Sequence, residues 1–191
     1  MAHHLVVTQN TTVDGRIEFL DDWFDPSPRD QDVADLQEEM DRQGGATAAM
    51  LLGRRTFEDF RGYWPHHTDE PAGASLARLR KYVVSRTLGD PGWENTTVLP
   101  DEPLDEVRRL KESGVGDLVV TGSITLTHAI LGAGLVDELR LFVYPAVQGR
   151  GRGLVPAGLA LPDLAPLESR AFAAGVTLLR YAVGDRSPET E

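Results

Sequence analysis

Five short apolar segments that alternate with helical patterns restrict this chain to an α/β fold. Each segment has the length of a strand and ends in polar or turn residues, a pattern typical of strands covered on both faces. The segments are HLVVTQN (4–10), TAAMLLG (47–53), KYVVS (81–85), DLVVT (117–121) and ELRLFVYP (138–145). The predicted helices cover 30–43, 102–113 and 123–131. Strands that alternate with helices predict a central sheet built mostly from parallel crossovers.

The helix predicted over 30–43 has one apolar face and a marked end. Val33, Leu36 and Met40 follow helical spacing, which predicts that their side chains face the core. Gly44-Gly45 follows directly and predicts that the helix stops there. We therefore expect this helix to lie on the sheet through its apolar face.

The last third of the chain predicts a change of strand direction. After LRLFVYPAV come a turn rich in glycine and arginine and then PLESRAFAAGVTLLRYAVG, in which Gly175 separates two strand-like runs. Such a pair predicts a hairpin, so the sheet should finish antiparallel. We expect one α/β domain over 1–183, followed by a frayed polar tail over 184–191.

The composition narrows the range of partners. The formal net charge is −11, and residues 14–41 hold eleven Asp and Glu but two Arg, a local balance of −9 that leaves −2 for the rest. Nucleic acid is excluded as a partner, because Lys and Arg contacts to phosphate supply most of that affinity. The absence of cysteine excludes disulfides and thiolate chemistry. No apolar run approaches the roughly 18 residues of a membrane helix, so we expect a cytoplasmic protein without a membrane partner.

Three of the predicted strands end in residues suited to binding an anion. The carboxyl ends of parallel strands meet along one edge of a sheet, where ligands bind. Helix starts offer unpaired N–H groups to phosphate, glycine allows close approach, and arginine makes bidentate contacts. The three strand ends are Gly53-Arg54-Arg55-Thr56, Ser85-Arg86-Thr87 and Thr121-Gly122-Ser123-Ile124-Thr125. Each alone is also typical of a simple turn, but their common position predicts a site for a nucleotide cofactor with several phosphate groups.

The three strand ends would bind different parts of the cofactor. The turns at 53–56 and 121–125 would hold the pyrophosphate from two helix N-termini. Arg86, with Ser85 and Thr87, would suit a ribose 2′-phosphate. A 2′-phosphate site selects NADPH over NADH, so we expect NADPH as the cofactor.

The same motifs resemble those of a known family. LLGRRTFEDF is similar to the strand-to-helix motif by which dihydrofolate reductases bind NADPH phosphates, VVSRT to their 2′-phosphate site, and QNTTVDGRI (9–17) to their first strand and mobile loop. VYPAVQGRGRGLV more closely resembles the C-terminal reductase domain of the bifunctional riboflavin-biosynthesis deaminase-reductase and its single-domain relatives. Gly122-Ser123, where folate reductases usually carry Gly-Gly, favours this riboflavin-type branch. The resemblance spans 4–183 and implies the three-layer dihydrofolate reductase-like fold.

The resemblance also implies a reaction and several roles. NADPH would transfer hydride to a C=N or C=O group of a heterocyclic or ribosylaminopyrimidine-type substrate. Asn10 would face the carboxamide of the nicotinamide, and Asp14-Gly15 would form the turn of the covering loop. Asp35 resembles the carboxylate that protonates the substrate, although its place in an acid-rich helix favours plain surface charge. The family also implies a homodimer formed through the C-terminal strands.

Aromatic residues are the candidates for substrate binding. Trp23, Phe24, Trp64 and Tyr144 could stack on a flat substrate, or they could fasten long loops to the core. The polar segment with His66-His67 lacks the helical i, i+4 spacing of a metal pair, so we expect no metal site.

Other functions remain open at this point. The segment after Thr56, FEDFRGYWPHH, lacks the Asp-Asp-Pro run of riboflavin-pathway reductases, so a true dihydrofolate reductase is the alternative enzyme. A second alternative is an NADPH-binding protein without turnover. A third is a structural α/β domain whose arginines only pair with the acidic segment, but surface ion pairs contribute too little to explain three such strand ends.

Overall fold

Eight strands form one sheet in the computed structural model, which describes residues 2–20, 22–24, 33–99 and 102–184. The strands are β1 (His3–Thr12), β2 (Thr47–Gly53), β3 (Arg80–Val84), β4 (Thr96–Leu99), β5 (Gly116–Thr121), β6 (Glu138–Tyr144), β7 (Leu164–Ala171) and β8 (Thr177–Val183). The helices are α1 (Ala34–Ala46), α2 (Arg54–Tyr63), α3 (Pro71–Arg78), α4 (Pro103–Glu112) and α5 (Ile124–Gly132), with a short 3-10 helix at Trp64–His66.

The order of the strands confirms the predicted fold class. Across the sheet the order is β4-β3-β2-β5-β1-β6-β8-β7. The first six strands of this order are parallel, whereas β8 runs antiparallel to both β6 and β7. The chain therefore has a mostly parallel central sheet that finishes in an antiparallel hairpin.

Side chains alternate between the two faces of the sheet, and each face has its own helices. On one face, Leu51 belongs to a core that includes Val107 of α4 and residues of α5. On the other face, its neighbour Leu52 packs with Phe57 of α2. Further along this second face, Leu36 of α1 packs against β6 and β8. The sheet thus lies between two helical layers, as in the dihydrofolate reductase-like fold.

The structure corrects the predicted end and inner face of the first helix. α1 continues through Gly44 and Gly45, because glycine disfavours a helix by only about 1 kcal/mol and packing overrides this. Met40, which we expected to face the core, is 50% exposed, whereas Glu39 and Gln43 are buried. The Gln43 amide donates a hydrogen bond to the Glu39 carboxylate at 2.7 Å, which compensates for the burial of both. The predicted start at 30–32 lies outside the described residues.

Several elements were absent from the prediction. α2, α3 and β4 had no predicted bounds, and the strand predicted at 81–85 is Arg80–Val84. The helices predicted at 102–113 and 123–131 are Pro103–Glu112 and Ile124–Gly132, so each differs from its prediction by one residue at both ends. Within the described residues, none of the helices combines the length and the apolar content needed to cross a bilayer.

A chain of ion pairs crosses the sheet on its α1 side and is centred on Glu138, which is 3% exposed. Arg140 Nε and Arg180 Nε each donate to Glu138 Oε1 at 2.7 Å, and Arg140 Nη2 donates to Asp117 Oδ2 at 2.7 Å. Burial alone would raise the pKa of Glu138, but the two arginines outweigh it and lower this pKa to about 2. The buried carboxylate is therefore ionised and fully paired.

The same chain of ion pairs ties α1 to the C-terminal hairpin. Arg180 Nη1 donates to Glu168 Oε2 at 2.9 Å, and Arg42 Nη2 lies 3.8 Å from the same oxygen. Arg42 Nε in turn donates at 2.9 Å to Glu39, which is 1% exposed. We refer to Asp117, Arg140, Glu138, Arg180, Glu168, Arg42 and Glu39 as the ion-pair network.

A second buried charge, Lys81, joins α3 to the sheet. Its side chain is fully buried, and its Nζ donates to the carbonyl oxygens of Leu76 and Leu79 at 2.7 Å each. The same Nζ lies 4.4 Å from the centre of the Trp93 ring. Burial lowers the pKa of Lys81 to about 8. Two carbonyls and one aromatic face therefore satisfy the three donors of this ammonium.

Candidate active site

A cleft of about 1640 Å³ opens where the central strands end, on the face that carries α1 and α2. It brings together predicted residues that are far apart in the sequence. The predicted cofactor residues that line it are Asn10, 53–56 and 121–125. The predicted substrate residues that line it are Trp23, Phe24, Trp64 and Tyr144.

The two glycine turns of the cleft are hydrogen-bonded directly to each other. The N–H of Gly53 donates to Ser123 Oγ at 2.9 Å, and the N–H of Ser123 donates to Thr56 Oγ1 at 2.9 Å. This reciprocal pair fixes the starts of α2 and α5 side by side. We call the turns 53–56 and 122–125 together the coenzyme end, after the cofactor that the sequence predicts there.

Backbone shape at the coenzyme end requires glycine at one position. Gly122 has φ +56°, and a Cβ there would lie 3.1 Å from Thr56 Cγ2. The carbonyl oxygen of Gly122 accepts a hydrogen bond at 2.7 Å from the amide of Gln9, which is 3% exposed. Gln9 was not predicted as a site residue, yet it holds this turn from the buried side.

Neither helix at the coenzyme end is capped by the side chain of its own N-cap residue, Gly53 for α2 and Ser123 for α5. Their first-turn N–H groups therefore keep the unsatisfied donors and the positive dipole end that bind anions. Arg54 is held in place by contacts to Glu58 at 3.1 Å and Thr87 at 2.7 Å. Arg55 is exposed, lines the cleft, and makes no side-chain hydrogen bond or ion pair with another described residue. The arrangement suits an anion with several phosphate oxygens.

The third predicted strand end lies beside the cleft. Ser85 Oγ accepts the N–H groups of Thr87 at 3.2 Å and Leu88 at 3.0 Å, which closes a tight turn after β3. The Arg86 side chain is 72% exposed, with Nη1 3.9 Å from a carboxylate oxygen of Glu102. Ser85, Arg86 and Thr87 do not line the cleft, but the bond between Arg54 and Thr87 joins this turn to the coenzyme end.

The turn predicted to cover the nicotinamide is fastened to another loop. The Asp14 carboxylate accepts from Thr12 Oγ1 at 2.6 Å and from the N–H groups of Gln148 at 3.1 Å and Gly149 at 2.8 Å. These hydrogen bonds, that of Thr12 first, hold the pKa of Asp14 well below its usual range. Gly15 has φ +75°, as this turn requires. Asp14 and Gly15 are not among the cleft-lining residues, and they shape the turn after β1.

Four aromatic rings form one cluster at the opposite end of the cleft. Phe19 lies 5.0 Å from Trp23 and 4.7 Å from Phe24, and Tyr144 lies 5.6 Å from Trp23 and 5.4 Å from Phe24 between ring centres. Burial raises the pKa of Tyr144 to about 12, so the phenol stays neutral. We call Phe19, Trp23, Phe24 and Tyr144 the aromatic cluster.

The side-chain amide of Gln148 holds the aromatic cluster against the loop after β6. Its Oε1 accepts from Trp23 Nε1 at 2.7 Å and from the N–H of Leu20 at 3.3 Å. Its Nε2 donates to the carbonyl oxygens of Glu18 at 3.0 Å and Arg150 at 2.8 Å. All the hydrogen-bonding capacity of this amide is used between two segments that are far apart in the sequence.

A neighbouring ion pair lines the cleft beside the aromatic cluster. Arg152 donates to the Glu18 carboxylate from Nε at 3.0 Å, from Nη2 at 2.6 Å and from its own N–H at 3.0 Å. These hydrogen bonds from Arg152 lower the pKa of Glu18. Glu18 and Arg152 were not predicted as site residues, and together they neutralise each other at this wall.

The wall opposite α1 carries further aromatic side chains. Tyr63 and Trp64 lie 5.1 Å apart between ring centres, and His67 stacks on Tyr63 at 3.8 Å. Nδ1 of His67 lies 2.7 Å from the carbonyl oxygen of Tyr63. Within the described residues, no group of three or more His, Cys, Asp or Glu could hold a metal ion.

Asp35, the predicted proton donor, contacts the hairpin and not the cleft. Its Oδ2 accepts the N–H of Ala173 at 3.0 Å, in the turn between β7 and β8. Its Oδ1 is buried without a hydrogen-bond partner among the described residues. The cleft-facing row of α1 includes Gln37 and Asp41, but Asp35 does not line the cleft.

Comparison with known families identifies this arrangement. A model of the RibD C-terminal domain matches residues 3–178. The chain belongs to the RibD C-terminal domain family. Membership supports a reductase role.

Relatives of this RibD C-terminal domain agree with the assignment. YyaP of Bacillus subtilis (strain 168), an uncharacterized protein, is 29% identical over 185 residues, which cover 93% of each chain. A proposed riboflavin biosynthesis protein from Shewanella sp. PV-4 has the same fold, with a TM-score of 0.70, 19% identity and coverage of 96% and 99%. A pyrimidine reductase-like protein from Corynebacterium diphtheriae gives a TM-score of 0.61, 15% identity and coverage of 95% and 92%.

A longer relative shows where the match ends. RibD of Acinetobacter baumannii gives a TM-score of 0.63 at 14% identity, over 96% of this chain and 58% of its own length. The present RibD C-terminal domain therefore corresponds in fold to part of that protein. At this level of identity the likeness concerns the fold alone.

Proposed function

We propose that this RibD C-terminal domain protein is an NADPH-dependent reductase that delivers hydride to a heterocyclic or ribosylaminopyrimidine-type substrate. The observation that carries the proposal is the coenzyme end, where Ser123 bonds to Gly53 and Thr56 and sets two uncapped helix starts side by side. Paired donor groups of this kind match the two phosphates of a dinucleotide.

The residues present at the coenzyme end fit a diphosphate. The missing Cβ of Gly122 leaves the backbone of the turn accessible, and a side chain there would meet Thr56. Arg54 and Arg55 add positive charge at the first turn of α2. We assign these residues, with Ile124 and Thr125, to the pyrophosphate.

The turn with Ser85, Arg86 and Thr87 is assigned to the 2′-phosphate. This turn is connected to the coenzyme end by the hydrogen bond that Arg54 donates to Thr87. The exposed guanidinium of Arg86 contacts only Glu102 among the described residues, at 3.9 Å, which a phosphate can displace. This assignment makes Arg86 the residue that separates NADPH from NADH.

When bound, the coenzyme supplies the hydride, and the protein positions it and excludes water. Asn10, which lines the cleft on β1, is assigned to the carboxamide of the nicotinamide. Trp23, Phe24 and Tyr144 offer flat apolar surface to the substrate on one side, and Trp64 does so on the other. The aromatic cluster also shields the reacting atoms from bulk water.

The proton donor to the substrate is the least supported assignment, because Asp35 was predicted for it. One oxygen of its carboxylate accepts the N–H of Ala173, and Asp35 does not line the cleft, so we expect Asp35→Asn to retain activity. Proton delivery then falls to ordered water in the cleft. The same contact favours a second candidate function, coenzyme binding without turnover. The homodimer inferred from the family resemblance stays a prediction.

Protection against heat tests the coenzyme assignment. A ligand that binds only the native state raises the melting temperature, so NADPH should protect this protein and NADH should protect it much less. Arg86→Ala should make the two coenzymes equal, whereas Arg78→Ala, a change at an exposed arginine outside the cleft, should not. Equal protection of the unmodified protein by both coenzymes would remove the role of Arg86.

Turnover separates the candidate enzymes. We expect NADPH to be oxidised in the presence of a ribosylaminopyrimidine and to be oxidised little in the presence of dihydrofolate. The decrease in the absorbance of NADPH measures this oxidation. The opposite preference would identify a dihydrofolate reductase. Protection by NADPH without oxidation by either compound would leave binding without turnover as the function.

A further inference from the structure

The side-chain amide of Gln9 is buried beside the cleft, and the protein satisfies only its nitrogen. Gln9 is 3% exposed and lines the cleft. Its Nε2 donates to the carbonyl oxygen of Gly122 at 2.7 Å and to Thr127 Oγ1 at 3.2 Å. Its Oε1 accepts no hydrogen bond from any residue that the structure describes.

The partners of this amide fix which of its two terminal atoms is the nitrogen. The carbonyl oxygen of Gly122 can only accept, so the atom of Gln9 beside it must be the donor Nε2. The Thr127 hydroxyl donates to that same carbonyl oxygen at 3.3 Å, so it accepts from the second N–H of Gln9. Both protons of the amide are therefore used, and Oε1 is the group of this side chain that is left to bind something else.

The free oxygen of Gln9 is open to the cleft. Among the described residues, Oδ1 of Asp35 is the one fully buried side-chain oxygen or nitrogen without a hydrogen-bond partner. Oε1 of Gln9 also lacks a partner, so it keeps a small accessible surface, and the cleft is the space that Gln9 lines. A ligand that fills this space displaces water from Oε1. Such a ligand must offer an N–H or O–H donor, or it leaves a buried acceptor unpaired.

The strand order places Gln9 at one end of the proposed coenzyme site. Along the sheet the order is β3-β2-β5-β1, so the turn at 85–87 comes first, the two turns of the coenzyme end follow, and β1 comes last. Three strand spacings, about 14 Å, separate β3 from β1. With the 2′-phosphate beside β3 and the diphosphate in the middle, the nicotinamide riboside half of the coenzyme would extend to β1, which carries Gln9.

We infer that Oε1 of Gln9 accepts a hydrogen bond from the nicotinamide riboside half of the coenzyme. The inference rests on the proposed function and deepens it. That half offers two kinds of donor, the N–H₂ of the carboxamide and the hydroxyls of the ribose. Because Nε2 of the same side chain holds the Gly122 carbonyl, one amide connects the turn assigned to the diphosphate with the part of the coenzyme that carries the hydride.

The first experiment compares two ligands that differ in the nicotinamide riboside. NADP⁺ and adenosine 2′,5′-bisphosphate, which lacks this half of the coenzyme, are titrated by calorimetry into the unmodified full chain and into Gln9→Met. Methionine is unbranched and flexible like glutamine, but it lacks the amide oxygen. We expect Gln9→Met to bind NADP⁺ about 10-fold more weakly and the bisphosphate less than about 3-fold more weakly.

A matched control is needed because Gln9 also supports the turn at Gly122. Thr127→Val removes the hydroxyl that contacts Nε2 and the Gly122 carbonyl, and it leaves Oε1 in place. Thr127 is fully buried and does not line the cleft. A loosened turn should weaken both ligands by the same factor, so Thr127→Val should keep the ratio of the two affinities that Gln9→Met reduces. Gln9→Leu, which lacks the same oxygen, repeats the comparison, and binding of the bisphosphate shows that each variant is folded.

A third ligand distinguishes the two kinds of donor. In the 3-acetylpyridine analogue of NADP⁺, a methyl group replaces the N–H₂ of the carboxamide and the ribose is unchanged. If the carboxamide is the donor, the preference for NADP⁺ over this analogue should be about 10-fold larger in the unmodified protein than in Gln9→Met. If a ribose hydroxyl is the donor, Gln9→Met should weaken NADP⁺ and the analogue by the same factor.

The outcomes separate this inference from the proposed function. If neither NADP⁺ nor the bisphosphate binds to the unmodified protein, the proposed function fails and this inference fails with it. If both bind but Gln9→Met weakens them equally, or weakens neither, the inference alone is overturned and Gln9 only supports the turn. It is also overturned if Thr127→Val reduces the ratio of the two affinities as much as Gln9→Met does.

Discussion

The two ends of the cleft are built by different forces. At the coenzyme end, neutral hydrogen bonds of Gly53, Thr56 and Ser123 join two turns whose backbone shape defines the site. At the opposite end, between α1, α2 and the aromatic cluster, which we call the substrate end, α1 is tied down by the ion-pair network. The aromatic cluster there is held by the amide of Gln148. Backbone substitutions should therefore damage the first end, whereas loss of charge should damage the second.

The largest effect should come from removing the centre of the ion-pair network. Glu138→Gln leaves Arg140 and Arg180 buried without their carboxylate, which typically costs about 3–5 kcal/mol of stability. Urea unfolding at pH 7 measures this loss. Glu112→Gln, at an exposed position, is the control and should change the free energy of unfolding by less than about 0.5 kcal/mol.

The same network predicts a dependence on pH. The pKa of Glu138 is about 2 in the folded protein against an ordinary value of 4.5, so its contribution is complete above about pH 4.5 and is lost as the pH falls towards 2. Such a shift corresponds to about 3 kcal/mol. Stability measured from pH 6 to 2 should fall less steeply in Glu138→Gln. Parallel curves would show that Glu138 does not carry the acid sensitivity.

Gly122→Ala should be the most damaging single change at the coenzyme end. The new Cβ would lie 3.1 Å from Thr56 in a backbone conformation with φ +56°, which costs on the order of 1–3 kcal/mol. We expect NADPH to bind at least about 10-fold more weakly, as measured by calorimetry. Gly132→Ala is the control, because a Cβ at Gly132 would meet no described atom within 4 Å. Equal coenzyme affinity in both variants would contradict the assignment.

Gln148→Leu should damage the substrate end and leave the coenzyme end intact. Loss of its four hydrogen bonds frees Trp23 and residues 18–20, so the KM for the substrate should rise about 10-fold, or about 1.4 kcal/mol. The Kd for NADPH should stay unchanged, because Gln148 does not touch the coenzyme end. Val147→Ala, at a neighbour that is 72% exposed, provides the control. A parallel loss of coenzyme affinity would mean that the two ends are coupled.

Ser123→Ala should give the smallest of these effects. It removes the oxygen that accepts the N–H of Gly53, which costs about 1 kcal/mol of stability. The N–H of Ser123 still donates to Thr56, so the turn should persist and NADPH should bind only a few-fold more weakly. Ser75→Ala, on the exposed side of α3, is the matched control in a thermal unfolding experiment.

The position of the two turns at the coenzyme end was accessible from the sequence because each turn is a contiguous motif, whereas their role in binding a cofactor stays a prediction. Glycine followed by hydroxyl or arginine residues directly after a buried strand predicts a helix start at the sheet edge. The parallel sheet and the antiparallel hairpin were predicted for the same reason, from periodicity within each segment. The family resemblance assigned Asn10 to the carboxamide of the nicotinamide; Asn10 lines the cleft, and this role stays a prediction.

The substrate end was less accessible because its contacts join distant segments. Gln148 and Trp23 are 125 residues apart, and no local pattern marks either as a partner of the other. Hydrophobic spacing placed Met40 in the core, whereas the buried position is taken by Glu39, since hydrogen bonds from its neighbours compensate for burial. Asp35 likewise matched a motif but contacts Ala173, because the hairpin turn lies beside that face of α1.

The burial of the Lys81 ammonium group has a practical consequence for chemical labelling. The chain holds only two lysines, and the other, Lys111, keeps 22% of its side chain accessible beside Asp137. An acylating reagent should therefore modify Lys111 in the native protein and reach Lys81 only when α3 lifts from the sheet. Mass spectrometry of the labelled peptides would time that opening without any introduced probe.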